Sequence, residues 1–270
     1  MALYGGLWPY ESWNGLNYLT EEVINPEITL KYAILLSMPC IILVYLFINI
    51  SYFTVMTATE LASQSAIAVA YSKAAIGDTF ATFVPWLVCI SAMGSFNGGV
   101  LHASRLIFAS ARDGNMPGWL CYISKSYKTP VVSIIFNACL STIYLIPDSS
   151  NFDSLLDEFG FAQWLIYGCT FYALIYLRKT MPNAERPFRV WSIGPWVAMV
   201  AAFSLVIVPL VSNFGKQYFG IISVFIISYF CYEKLIVREL SLVSKVNDFV
   251  RHFLMGRFLL SDPIGEKLEM

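Results

Sequence analysis

The stretch LYGGLWPYESWNGLNYLTEEVINP, residues 3–26, decides how the rest of the chain is read. It is apolar enough to enter a membrane, yet it carries Gly5, Gly6, Pro9 and Gly15, and a lone acid, Glu11, near its middle. A proline inside a helix removes a backbone donor and clashes with the preceding turn. Backbone groups freed at membrane depth are tolerated only where protein buries them or a cavity wets them. An ionisable side chain at that depth marks a functional site, and broken helices with polar groups at the break build binding sites in many membrane proteins. A second reading also fits: an amphipathic segment at a membrane surface, with Glu11 solvated and a stop-transfer run behind it.

Outward from this stretch the chain is apolar nearly throughout. Its mean hydropathy is +0.63. Charged residues make up 13% of the 270 positions, against roughly 25% in a soluble domain. The charges collect in short blocks between apolar runs, and several of these runs reach the length of about 20 residues that a spanning helix needs. The six cysteines, at 40, 89, 121, 139, 169 and 231, show no spacing of a metal site or a disulfide framework. There is no Gly-rich phosphate loop, no His/Cys cluster and no basic groove, so neither an enzyme, a metal site, a cofactor nor a nucleic-acid partner is expected. No basic region precedes the first apolar run, as a secretory leader would require.

The pattern predicts an all-α polytopic membrane protein with membrane segments at 2–25, 33–56, 83–110, 130–147, 154–177, 193–211 and 218–236. The whole of 1–240 forms the membrane domain. Between the second and third segments, TELASQSAIAVAYSKAAIGDT (59–79) is too polar to span but helical in composition. It is expected to cap one face of the bundle. Residues 241–270 form a cytoplasmic tail, with Val243, Val246, Val250, Phe253 and Leu254 on one helical face and Lys245, Asp248 and Arg251 off it. That is the pattern of a helix lying in the membrane interface. The sequon Asn49-Ile-Ser51 falls inside the second segment, where no glycan can be added.

Charge sets the orientation. With the loop after the first segment in the cytoplasm, that side receives Lys31, Arg112, Lys125, Lys128, Arg178, Lys179, Arg186, Arg189, Lys234, Arg238 and the tail. The other side receives Lys73 and Lys216 with acids such as Asp148 and Asp153. This asymmetry follows the positive-inside rule and puts the C-terminus in the cytoplasm. It also starts the chain outside. Seven residues ahead of Trp8 rise only about 10 Å as a helix, so further membrane segments are expected upstream.

The motif Trp8, Tyr10, Glu11, Ser12, Trp13, Asn14, then Thr20, Glu21, Glu22, Asn25 and Pro26 resembles the sixth transmembrane helix of the L-type amino-acid transporter family. These are the light subunits of heteromeric amino-acid transporters, within the amino acid–polyamine–organocation superfamily. ISYFTVMTATEL (50–61), GSFNGGVLHASRLIFASARDGNMP (94–117), KTPVVSIIF (128–136), FAQWLIYG (161–168) and AERPFRV (184–190) follow in family order and cover nearly the whole chain. The acid at position 11 and the SYFTVMTATEL run resemble the b(0,+)-type branch, which exchanges cystine and dibasic amino acids. Pro9, Glu11 and Phe96 depart from the family's usual Ala, Asp and small residue.

The resemblance implies a LeuT-like fold of two inverted five-helix repeats plus two helices. This chain would hold the second repeat and the two further helices, six to twelve, with the first of them unwound in its middle. It would be a truncated product, splice form or fragment, since the family's helix one and the cysteine that links it to a single-span heavy-chain glycoprotein have no counterpart here. The implied activity is sodium-independent exchange of neutral and cationic amino acids and cystine by alternating access, at the plasma membrane. Two other readings stand beside it: a non-transporting scaffold or dominant-negative partner, and a cationic amino-acid or polyamine carrier of the same superfamily.

Within that frame Trp8 is a gate that closes over substrate, or a lipid-facing interface tryptophan. A cationic substrate would gain about 0.5–2 kcal/mol from the ring face. Glu11 receives a cationic side chain, or is a surface carboxylate or a proton site. Tyr10 and Asn14 flank the unwinding and satisfy freed backbone groups, or simply pack. Ser95 and Asn97 match pocket-lining positions on a small-residue face (Gly94, Gly98, Gly99) that serves helix packing equally well. Phe159 and Gln163, beside Trp164, match a stretch lining the distal pocket. Arg105 is expected to pair with Glu21 or Glu22 at an inner gate, with His102 nearby.

Overall fold

A computed structural model describes residues 2–11, 13–146, 152–186, 188–212 and 216–232, together with 249 and 260–261. The first segment is broken. Helix α1 (Ala2–Leu7) gives way to a 3-10 turn, Trp8–Tyr10, with Pro9 at its start. A second 3-10 stretch runs Gly15–Glu22. Then come α2 (Pro26–Val55), α3 (Ala58–Ser63), α4 (Ile67–Ala75), α5 (Asp78–Ala81) and α6 (Val84–Arg112). A 3-10 turn at Gly118–Cys121 and strand β1 (Ile123–Ser124) lead to α7 (Val131–Tyr144), α8 (Phe152–Thr180), α9 (Ile193–Ser212), α10 (Lys216–Cys231) and β2 (Leu260–Ser261).

Among the described residues, four helical runs are long and apolar enough to cross a membrane: Pro26–Val55, Asp78–Arg112, Ser154–Thr180 and Ile193–Val211. Val131–Tyr144 and Tyr218–Cys231 are shorter apolar helices. The expectation of an all-helical membrane protein holds at this level. It needs one amendment: β1 and β2 pair antiparallel, Ile123 with Ser261 and Ser124 with Leu260. The expected interfacial helix at 241–254 lies outside the described residues apart from position 249, as do parts of 130–147 and 218–236.

The ends of these helices have local causes. α2 starts at Pro26, seven residues ahead of the expected position 33. Asn25 adopts a left-handed conformation (φ 51°) and Pro26 supplies the pre-set φ and missing N–H of a first helical position. Glu27 sits in its first turn, and Lys31 falls inside the helix, not ahead of it. Within α2, Asn49 donates to the Tyr45 carbonyl (2.8 Å) and Ser51 to that of Phe47 (2.8 Å), so the sequon's polar groups are used by the helix itself. α3 opens on a capping box, in which the Thr57 side chain accepts from the Glu60 N–H and Glu60 accepts from the Thr57 N–H. α6 closes on Gly114 (φ 79°), with Asn115 N–H bonded to the Ser110 carbonyl and Gly114 N–H to that of Ala111. Crossed bonds of this kind need a left-handed residue, which glycine supplies without strain.

The chain divides into two compact units, Met1–Glu11 with Ile107–Met270, and Ser12–Leu106. In the first, α8 packs along α9 and also receives α1 and α10. A Cβ at Gly168 would lie 3.0 Å from the Phe203 ring, and one at Gly160 would lie 2.9 Å from Tyr4 Cγ, so both glycines mark close approaches to α8. Tyr4, Phe161, Val206 and Tyr218 form one buried cluster, and Phe108, Ala111, Leu120, Cys121, Tyr122 and Val132 another. In the second unit, α4 lies against α2, with Tyr52 and Tyr71 edge to face at 5.2 Å. The connecting helices 58–81 are therefore helical as expected.

Candidate functional site

In the first unit the residues ahead of the break gather on one stripe of α8. The Tyr4 hydroxyl donates to the Leu205 carbonyl at 2.6 Å, which anchors α1. One turn on, the Trp8 ring stands edge-on to Phe159 (5.6 Å, 83°) and to Phe152 (6.3 Å, 88°). All three rings are substantially exposed. The Glu11 N–H closes the 3-10 turn on the Trp8 carbonyl (3.0 Å), after which the backbone becomes extended at Glu11. The half-buried Glu11 carboxylate accepts from the Tyr167 hydroxyl at 3.4 Å. Tyr167 is buried and its ring meets Trp164 edge to face at 5.4 Å.

Phe152, Phe159, Gln163 and Tyr167 are spaced by seven, four and four residues, the repeat of one helix face. The structure thus brings Trp8, Phe159, Glu11 and, through that stripe, half-buried Gln163 into one neighbourhood of the first unit. Tyr10 sits half-buried in the turn between Trp8 and Glu11. Phe152 and Tyr167 were not singled out from sequence. Their helical register with Phe159 and Gln163 is the signal that would have found them.

The second unit holds the residues after the break. Asn14 donates from Nδ2 to the Tyr18 hydroxyl at 3.1 Å and precedes the 3-10 stretch. Eight residues in 3-10 form are unusual, since such runs seldom exceed three or four. The expected helical second half is therefore a tighter, more extended coil. Arg105 forms an ion pair with Glu22, while Glu21 is exposed. Ser95 and Asn97 lie exposed on the middle of α6, and the places a Cβ would take at Gly94, Gly98 and Gly99 are open. In this unit, then, the small-residue face packs against nothing described. Among the described residues no three His, Cys, Asp or Glu side chains are grouped to hold a metal ion.

Among the residues described at this break there is no nucleophile–base pair. In the first unit the arrangement comprises aromatic edges and one carboxylate bonded to a tyrosine at a helix break. Comparison with known proteins agrees. Residues 1–232 match the amino acid permease family. The chain is 41% identical over 218 residues, 81% of its length, to the human b(0,+)-type amino acid transporter 1, and covers 44% of that protein. It is 40% identical over 190 residues, 70% of its length, to the human cystine/glutamate transporter, covering 37% of it. To the mouse large neutral amino acids transporter small subunit 2 it is 36% identical over 220 residues, 80% of its length and 41% of that protein. The chain spans less than half the length of the curated relatives it matches. With a match over most of its length and a broken, aromatic-lined first segment, this chain belongs to the amino acid permease family.

Proposed function

We propose that the chain supplies one part of an amino-acid exchanger that works by alternating access, without sodium, on neutral and cationic amino acids and cystine. The observation that carries this reading is the Glu11 carboxylate, held by Tyr167 beside the Trp8–Phe159 edge at the break in the first segment. A carboxylate at membrane depth needs a counter-charge or a hydrogen-bonding partner. Tyr167 donates to the carboxylate, whose negative charge would draw the lysine or arginine side chain of a substrate. The aromatic edges of Trp8 and Phe159 would close around its aliphatic stem. Within the second unit, Asn14, Ser95 and Asn97 would offer polar contacts to substrate, and the Arg105–Glu22 pair would act as an inner gate.

The chain corresponds to helices six to twelve of the family fold, with its C-terminus in the cytoplasm and the plasma membrane as its site. Its partner would be a single-span heavy-chain glycoprotein; the mouse relative is itself named a small subunit. Because the relatives are more than twice as long as the matched region, residues 1–270 alone are expected not to transport.

The test is a chimaera in which residues 1–270 follow the preceding half of the human relative, reconstituted in liposomes preloaded with leucine. Arginine, cystine and leucine should enter in exchange, with no sodium gradient. Uptake that ignores the preload, or that requires sodium, overturns the exchange reading. Saturable exchange by residues 1–270 alone overturns the expectation of silence. A folded chimaera that carries nothing favours a non-transporting scaffold.

A further inference from the structure

Within the second unit one contact has no role in the reading above. Gly15 is buried at the start of the 3-10 stretch. A Cβ built on it would lie 2.9 Å from both Nδ1 and Nε2 of His102, with Cε1 nearer still. The tip of the imidazole therefore fills the space that any side chain at position 15 would take. The Tyr18 ring is tilted toward the same imidazole, 6.3 Å between centroids, and the Tyr18 hydroxyl is tied back to Asn14. Asn14, Gly15, Tyr18 and His102 thus form a local set, and no glycine of α6 itself is crowded in this way: the Cβ positions at Gly94, Gly98 and Gly99 meet nothing within 4 Å.

We propose that Gly15 and His102 form a seat that fixes residues 14–18 on α6, which makes His102 a positioning residue for Asn14. A 3-10 stretch has poorer hydrogen-bond geometry than an α-helix, so its register needs an outside contact. A ring inserted against bare backbone supplies one, because it blocks sliding in either direction. The glycine is required for its size alone. Its φ lies outside the left-handed region, so alanine there adds bulk without backbone strain. His102 meets backbone, not substrate, so loosening the seat acts on every substrate alike. This consequence for transport rests on the function proposed above. The seat itself does not.

Two experiments separate the two claims. In thermal unfolding of the full chain in detergent, Gly15→Ala should lower the melting temperature by several degrees, and Gly94→Ala, a control in open space, should not. Adding His102→Ala to Gly15→Ala should recover most of the loss, because the smaller side chain vacates the space the new methyl needs. Equal effects of Gly15→Ala and Gly94→Ala, or additive losses in the double variant, overturn the seat.

In the chimaera, His102→Ala should raise the apparent KM for arginine and for leucine by the same several-fold factor, with the maximal rate changed less. His102→Gln, which keeps length and a polar tip, should restore part of it. A loss confined to arginine would make His102 a substrate contact and overturn the positioning role. Unchanged kinetics alongside an intact stability cycle would do so too, leaving only a packing contact. If the unmodified chimaera carries nothing, the transport reading fails while the stability cycle still decides the seat.

Discussion

The two units are held together by different chemistry. The first has two buried apolar clusters, built on Phe161 and Tyr218 and on Phe108 and Leu120. The second has no such cluster among its described residues, and its buried positions, Gly15, Ser72, Ala81, Val84 and Ser104, are small. Its described contacts are mostly polar: the Arg105–Glu22 pair, the Lys73–Asp78 pair, the Asn14–Tyr18 bond and the Thr57–Glu60 capping box, beside the Tyr52–Tyr71 ring contact. The contrast follows from the solvent. Lipid tails are as apolar as leucine, so exposed apolar surface on α2 carries no penalty and drives no association. A unit facing lipid is free to rely on hydrogen bonds and charge pairs. Tight side-chain packing is concentrated where α1, α8, α9 and α10 meet and around Phe108, Leu120 and Val132. One division falls between Glu11 and Ser12, at the break in the first segment, and the other between Leu106 and Ile107, within α6.

The largest expected effect tests the packed side. Phe161 is fully buried between Tyr4, Val206 and Tyr218, with its ring 4.9 Å from that of Tyr218. Phe161→Ala removes those contacts and leaves a cavity, at a cost of about 3 kcal/mol. Thermal unfolding in detergent should show it plainly, and α8 should lose hydrogen-exchange protection before α2 does. A loss comparable to that of a lipid-facing change such as Leu36→Ala would mean that the first unit is no better packed than the second.

Glu11→Gln comes next. In the exchange-competent chimaera it should weaken arginine uptake by roughly tenfold or more and leave leucine largely unaffected. Removing one member of a desolvated charge pair costs about 2–5 kcal/mol, and a wet cavity belongs at the low end. Gln keeps the size of the side chain and still accepts from Tyr167, so lost packing does not account for the result. Equal falls for both substrates would make Glu11 structural, and no fall in either would remove it from the site.

The ion pair on the polar side should matter less. The Glu22 side chain is 48% exposed and that of Arg105 22%. Pairs so open to solvent contribute about 0.2–1 kcal/mol. Glu22→Gln should therefore lower stability only slightly, and the exchange Glu22→Arg with Arg105→Glu should recover part of what either single change loses. A large loss from Glu22→Gln would show that the pair is far less screened than its exposure indicates, and the contrast between the units would weaken.

Much of this contrast could be read in the sequence, within limits that have physical causes. Apolar runs placed the long helices to within a few residues, because twenty apolar residues in a row leave the backbone little else to do. Pro9 and Gly15 located the break. The exception is the start of α2, which the Asn25-Pro26 pair sets at Pro26 although Lys31 follows within the helix. The site's contacts were less accessible. The Glu11–Tyr167 bond joins residues 156 positions apart, and the seat of His102 on Gly15 joins residues of different elements. No local pattern encodes either, because both depend on how helices meet. The 3-10 form of Gly15–Glu22 was hidden for a similar reason: apolar periodicity does not separate a tight helix from an α-helix over eight residues.

The smallest effect concerns acid. Glu60 accepts from the Thr57 N–H at 2.8 Å and from the Thr57 hydroxyl at 2.8 Å. These bonds, the backbone N–H first and the hydroxyl second, hold its carboxyl below the usual range, and slight desolvation opposes them. The folded-state pKa thus lies below the unfolded one, so the stabilisation is complete above the unfolded carboxyl range, about 4.3. It is lost as the pH falls through the folded value. At neutral pH, amides in the first turn of α3, Ala58 to Leu61, should be better protected from hydrogen exchange than in Glu60→Gln. As the solution becomes acidic that ratio should fall toward one, while the amides of α8 around Phe161 keep their protection. A ratio that stays constant from neutral to strongly acidic pH would mean that the capping box does not titrate. Loss of protection in α8 over the same interval would mean that acid acts on both units alike, and that the polar unit is not the more pH-sensitive of the two.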